Sequence, residues 1–157
     1  MTDASRVHTL TDPARCIFCA ALEAGEAEPL LVHVGHDAFV ILNKYPYNNG
    51  HLMVVPRRHT ARLSELTSDE MTEIMRLAQA AERTLLEIYR PHGFNMGINL
   101  GKPAGAGIAD HLHMHVVPRW DGDTSFMTVF GETRVLPEDL LVTAGRVRAA
   151  LRQVLGA

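Results

Sequence analysis

Three histidines alternate with apolar residues in the run His111-Leu112-His113-Met114-His115-Val116-Val117. Successive side chains on a β-strand point to opposite faces. Read as a strand, the run places its imidazoles in one row, each roughly 7 Å from the next, and turns Leu112, Met114 and Val116 toward a core. Read as a helix, the same histidines spread over roughly 400° of arc and share no face. A row of imidazoles can bind a metal, bind phosphate, or set one nucleophile beside a proton donor. A histidine-rich surface strand is the plainer alternative. It leaves unexplained the apolar opposite row and the loop Gly101-Lys102-Pro103-Ala104-Gly105-Ala106-Gly107 just upstream. That loop's glycines allow backbone N–H groups to come close to an anion.

The second chemical feature is Cys16-Ile17-Phe18-Cys19. This spacing lets one turn aim both thiolates at one ion, but the pair is half a site until two further ligands reach it. The residues leave three arrangements open. One is a closed zinc site of two thiolates and two imidazoles, with the remaining histidines and the glycine loop forming a phosphate site. Another is a three-histidine catalytic zinc site, which gives the cysteines and the loop no role. The third, a redox dithiol, needs a strand leading into Cys16, and nothing before Cys16 reads as one. An imidazole bound to zinc has given up its lone pair, whereas a neutral imidazole is a good nucleophile toward phosphorus near neutral pH. If one histidine of the row serves a metal, the others are left for chemistry.

The surrounding pattern supplies elements to position these groups. Residues 1–14 read as a flexible arm and residues 15–157 as one domain. Residues 20–28 suit a short helical turn. Leu30 to Val34 and Ala38 to Leu42 read as a hairpin around Gly35-His36-Asp37, and 43–50 as a loop. His51-Leu52-Met53-Val54-Val55-Pro56 reads as a third strand. Thr67-Ser68-Asp69-Glu70 is a capping box. It opens a helix with apolar residues at Met71, Ile74, Leu77, Ala78, Ala81, Leu85 and Ile88, closed near Tyr89 by Pro91. Residues 94–100 form a fourth strand, the histidine run a fifth, and Trp120-Asp121-Gly122-Asp123 a turn. Leu136-Pro137-Glu138 opens a last helix, with proline in its first turn. This order predicts an α+β fold: a roughly five-stranded antiparallel sheet, one long helix and a C-terminal helix.

At 157 residues the chain can bury a real core. A net charge of -3 argues against a nucleic-acid coat or a membrane surface. No apolar run spans a bilayer, and no signal-peptide core is evident. Two cysteines three positions apart do not make a disulfide framework. The expectation is a cytoplasmic protein with no nucleic-acid or membrane partner.

The His111–Val117 run matches His-φ-His-φ-His-φ-φ, φ apolar, the signature of the histidine-triad (HIT) superfamily. The resemblance extends to Gly50-His51-Leu52-Met53-Val54-Val55-Pro56, to Cys16-Ile17-Phe18-Cys19 and to 99–107, covering roughly residues 16–130. Tyr45-Pro46-Tyr47-Asn48 and Val117-Pro118-Arg119-Trp120 look most like the bacterial branch near the diadenosine-tetraphosphate phosphorylases and the fragile-histidine-triad hydrolases. The resemblance implies nucleotidyl transfer on dinucleoside polyphosphates or nucleoside phosphates through a nucleotidyl-histidine at His113. His115 would contact the α-phosphate and His51 would support the pair. Ile17, Phe18 and Leu42 would line the base pocket, Asn43 would bind ribose, and Asn99, Gly105 and Gly107 would hold phosphate. Cys16, Cys19, His59 and His111 correspond to the ligands of a structural zinc ion, and a homodimer is implied. Many relatives carry Gly-Gln-Ser or Gly-Gln-Thr where this chain reads Ala106-Gly107-Ile108, so a hydroxyl contact to phosphate is missing. Asp110 is given no catalytic role. A phosphoramidase-type hydrolase and a nucleotide-binding regulatory protein are the alternatives.

Overall fold

The computed structural model describes residues 13–123 and 138–156. Nearly all of the expected arm, and Leu136 and Pro137, lie outside the described residues. The elements are α1 (Ile17–Ala24), β1 (Leu31–Val34), β2 (Ala38–Leu42), β3 (Leu52–Pro56), α2 (Ser68–Tyr89), β4 (Gly93–Ile98), β5 (Met114–Arg119) and α3 (Leu140–Leu155). Pro13–Arg15 form a 3-10 turn just ahead of α1. The strands make one sheet in the order β1-β2-β3-β5-β4, with every neighbouring pair antiparallel. This is the α+β arrangement the pattern predicts. Among the described residues no helix is long and apolar enough to cross a membrane.

The sheet has a core on each side, which is why β2 and β3 are continuously apolar and fully buried. Val40, Leu42, Leu52, Val54, Met114 and Val116 share one cluster with Ile74, Leu77, Ala81 and Leu85 of α2 and Val147 and Leu151 of α3. The alternate residues Phe39, Ile41, Met53 and Val55 pack with Phe18 and Ala21 of α1 and with Cys16. The period-two alternation thus sorts the chain into a helix-covered face and a face on which α1 and the cysteine pair sit.

The long helix carries the capping box read from Thr67 and Glu70. The Thr67 hydroxyl accepts the Glu70 N–H, and the Glu70 carboxylate accepts the Thr67 N–H at 2.8 Å. Arg58 donates to both Glu70 oxygens at 2.8 Å and holds that carboxyl well below its usual range, at about 2. Gly50, at φ +78, packs against this helix. A Cβ there would lie 2.8 Å from the Leu85 side chain, so glycine is what seats the 43–50 loop on α2.

Two boundaries differ from expectation. The last helix starts at Leu140, capped by Asp139, which accepts the N–H groups of Leu141 and Val142. Glu138 instead accepts from Tyr89, Thr143 and Arg146, tying α2 to α3. The ladder of β5 begins at Met114 rather than His111. The last pair with β3 is Val54 opposite Met114, although β3 itself runs on to Pro56 before the chain continues through Arg57 and Arg58 to His59. The segment ahead of β5 is held by other bonds: Leu112 N–H donates to Thr60 O at 2.7 Å and His111 Nε2 to Pro56 O at 2.8 Å. The alternation nonetheless persists, with Leu112 in the helix-side core and His111 and His113 against the Phe18 ring.

Candidate functional site

Three imidazoles make a connected group. His51, immediately before β3, lies with its Nε2 2.9 Å from His115 Nδ1. The His113 and His115 rings meet edge to face at 4.9 Å. Backbone groups determine where each proton sits, because a neutral imidazole has one donor and one acceptor nitrogen. The Tyr47 N–H donates to His51 Nδ1 at 3.0 Å, so His51 carries its hydrogen on Nε2 and donates it to His115 Nδ1. His115 must then carry its own hydrogen on Nε2. His113 is the opposite: its Nδ1 donates to the His111 carbonyl at 2.9 Å, leaving the lone pair on Nε2.

Burial keeps the His113 and His115 rings neutral. It pushes His115 down to about 4, aided by the neighbouring His113. It also lowers His113, against the opposing effect of the His111 carbonyl. At neutral pH the site therefore offers an acceptor nitrogen and, one ring away, a donor nitrogen.

The residues expected around a nucleotide separate into distinct places. Phe18 is buried with its ring 5.0 Å from His113, and Ile17 beside it is 60% exposed. Asn43 keeps its amide 3.4 Å from His51 Nε2 while its oxygen accepts the Tyr45 N–H. Asn99 donates to Gly105 O at 3.4 Å, and Gly105 takes φ +90. Ile17 and Gly107 line one cavity of about 570 Å³ with Cys16, and Asn99 and His115 line another of about 400 Å³. Leu42 is not brought into this group. It is 2% exposed in the helix-side core, on the other face from His113. Its neighbour Ile41 occupies the Phe18 side, and counting the alternation from Phe39 would have identified it.

Cys16, Cys19, His59 and His111 converge, with one ligand atom from each lying within 4.8 Å of the others. Cys16 Sγ is 3.2 Å from His111 Nδ1, Cys19 Sγ is 3.4 Å from His59 Nδ1, and Cys19 Sγ is 3.6 Å from His111 Nδ1. A tetrahedral zinc ion with ordinary bonds would set its sulfur and nitrogen ligands roughly 3.6 Å apart. His111 gives its Nε2 hydrogen to Pro56, which leaves Nδ1 as the ligating atom. Burial pushes this ring down to about 4 and, with Cys16 adding to the effect, the Cys19 thiol up to about 11. His59 Nε2 is buried with no hydrogen-bond partner among the described residues. The donor set and its spacing fit a divalent ion of zinc's preference.

A polar network beside His115 went unnoticed in the sequence. Arg119 grips both oxygens of Asp123 at 2.5 and 2.7 Å and donates to Asn95 Oδ1 at 2.6 Å. Asn48 donates to Asp123 and to Pro118 O, each at 2.9 Å. The Arg119 guanidinium holds the Asp123 carboxyl far below the usual range. The i,i+4 spacing of Arg119 and Asp123 is the local signal for this network, and the turn between them makes it a weak one.

Comparison with known proteins agrees with this geometry. The sequence profile of the HIT domain matches residues 24–122. The AP-4-A phosphorylase of Mycobacterium tuberculosis is 48% identical over 121 residues, a match covering 77% of this chain and 62% of that protein. The chain thus spans under two thirds of that relative's length. A crystal structure of a zinc-bound histidine triad family protein from Mycobacterium smegmatis superposes with a TM-score of 0.74 at 29% identity, covering 92% of this chain and 99% of that one. A hypothetical histidine triad nucleotide-binding protein from Sulfolobus tokodaii gives 0.71 at 25% identity, covering 88% and 93%.

Proposed function

Because the chain belongs to the HIT domain family, we propose that it is a nucleotidyl hydrolase or transferase acting through His113. Its substrates are dinucleoside polyphosphates, of the diadenosine-tetraphosphate kind named for the M. tuberculosis relative, or nucleoside phosphates. The reading rests on one observation: the Tyr47 N–H meets His51 Nδ1, His51 Nε2 meets His115 Nδ1, and His113 Nδ1 meets the His111 carbonyl, bonds that assign opposite roles to the Nε2 atoms of His113 and His115.

The His113 Nε2 lone pair attacks the α-phosphorus, and the bond to the bridging oxygen breaks. The departing phosphate oxygen accepts a hydrogen bond from His115 Nε2, which keeps its hydrogen, and leaves as the phosphate anion. The product is a nucleotidyl-histidine, and water or inorganic phosphate then displaces the imidazole. His51 keeps the His115 hydrogen on the reacting side. Ile17 and Phe18 border the base, Asn43 the ribose, and Asn99 with the Gly105–Gly107 turn the phosphate. Lacking a hydroxyl at Ile108, the turn would contribute backbone N–H groups.

Cys16, Cys19, His59 and His111 would hold zinc. Held by these four side chains, zinc would supply a structural cross-link between α1 and the segment leading into β5. Among the described residues no strand pairs with the outer edge of β4, which supports a homodimer. The free thiols of both cysteines suit a reducing, cytoplasmic setting. Residues 15–157 are taken as one domain.

The test is product analysis with diadenosine tetraphosphate. Attack at the α-phosphorus releases ATP and leaves adenylate on the protein. ADP formed only when inorganic phosphate is present identifies phosphorolysis, and AMP identifies hydrolysis. Labelled adenylate trapped on the wild type, acid-sensitive and missing from His113→Ala, supports the covalent step. Full activity in His113→Ala overturns it.

A further inference from the structure

The cavity of about 400 Å³ beside His115 has a floor made by the β4–β5 pair. Across that ladder Gly97 stands opposite His115 and Asn95 opposite Val117, and both line the cavity. A glycine inside a strand weakens it and commonly marks a place where a ligand approaches the backbone closely. Nothing in the fold requires glycine at 97. Its φ is not positive, and a Cβ there would meet no atom within 4 Å. The absent side chain leaves open space next to the ring that carries the donor hydrogen.

The walls identify the kind of occupant. The cavity's guanidinium, Arg119, is matched by Asp123, so the pair brings no net charge. The other groups are the Asn95 and Asn99 amides, Met96, and the Tyr47 ring, which is 47% exposed. A site for bare phosphate calls for uncompensated cations. Amide donors and acceptors beside an aromatic face suit a flat, neutral heterocycle with its sugar. From His115 to Arg119 the floor runs four residues of β5, roughly 13 Å, enough for phosphates to pass His115 and a nucleoside to lie beyond.

We infer that this cavity receives the departing half of the substrate and seats the second nucleoside of a dinucleoside polyphosphate, making Gly97, Asn95 and Tyr47 determinants of preference for dinucleotides over mononucleotides. The inference rests on the nucleotidyl-transfer reading, which puts the leaving oxygen at His115.

The test is calorimetric titration of the purified full chain with AMP and with methylene-bridged diadenosine tetraphosphate. It compares the wild type with Gly97→Val, which fills the floor with a residue that suits a strand, and with Asn95→Leu. The wild type is expected to bind the dinucleotide at least tenfold tighter than AMP, and both variants to shrink that ratio below threefold. No preference in the wild type, or a preference that survives in both variants, overturns the inference. Trapping labelled adenylate on His113 in parallel separates the two readings. Label on His113 with an unchanged ratio in both variants retires the cavity and keeps the chemistry. No label with a collapsed ratio keeps the cavity as a nucleoside site and retires the chemistry.

Discussion

Replacing His51 with leucine tests whether the proton positions inferred above matter to turnover. The substitution removes both the acceptor of the Tyr47 N–H and the donor to His115 Nδ1, bonds of 3.0 and 2.9 Å. Deleting one partner of a buried hydrogen bond costs about 1–3 kcal/mol. If the His115 bond is felt fully in the transition state, about 1.4 kcal/mol per factor of ten translates this into a loss of roughly 5- to 150-fold in kcat. The ring is 1% exposed, so stability falls as well, and a Tm drop of at least about 4 °C is expected. His51→Gln supplies one acceptor and one donor and should recover part of kcat, which a purely steric role would not predict. Nitrogen-15 spectra give the direct reading: in the wild type His115 should show a pyridine-like Nδ1 and a pyrrole-like Nε2. A protonated Nδ1 on wild-type His115 would falsify the argument, as would a kcat within twofold of wild type in His51→Leu at saturating substrate.

The other expectations concern the nucleophile, the metal and the cap. His113→Asn should lower kcat at least about 10³-fold with AMP affinity changed less than about fivefold, as seen by calorimetry. Protein purified without chelator should contain about one zinc per chain by elemental analysis. Cys19→Ser should lose it and melt at least about 5 °C lower. Adding chelator to the wild type should erode stability before initial rate, and an immediate stop of turnover would point instead to a catalytic metal. Glu70, held at about 2 against its ordinary 4.5 chiefly by Arg58, contributes stability that is complete above pH 4.5 and fades as pH falls toward 2. Arg58→Ala should therefore cost about 1–2 kcal/mol at pH 7, discounted because Arg58 is partly exposed. Urea titrations should show that cost shrinking through this window, and a pH-independent difference would contradict the assignment.

What could be read from the chain, and what could not, follows from how far each signal reaches. The Leu112, Met114 and Val116 alternation, the Thr67–Glu70 box and the Cys16–Cys19 spacing are local patterns, and each appears in the structure as an element or a cluster. The bond from Tyr89 to Glu138 joins residues 49 apart, and Asn48 meets Asp123 across 75. No periodicity encodes such meetings. Leu42 is assigned to the base pocket by the family resemblance alone, and the strand alternation puts it on the helix side, with Ile41 facing Phe18.

The boundary at Met114 connects these levels. The β3–β5 ladder ends with Val54 opposite Met114, two residues before β3 itself ends at Pro56. Because β3 stops at Pro56, the next residues are free to carry His59 to the cysteine pair. The Pro56 carbonyl then takes the His111 Nε2 hydrogen and turns Nδ1 of that ring toward the sulfurs. The His111 carbonyl in turn holds Nδ1 of His113, which is what leaves Nε2 of His113 with its lone pair. One strand end thus links the metal cluster to the state of the reacting nitrogen through two hydrogen bonds. On this argument, damage to the cluster should reach turnover by way of the orientation of His113, and only as far as it lets the His111 backbone move.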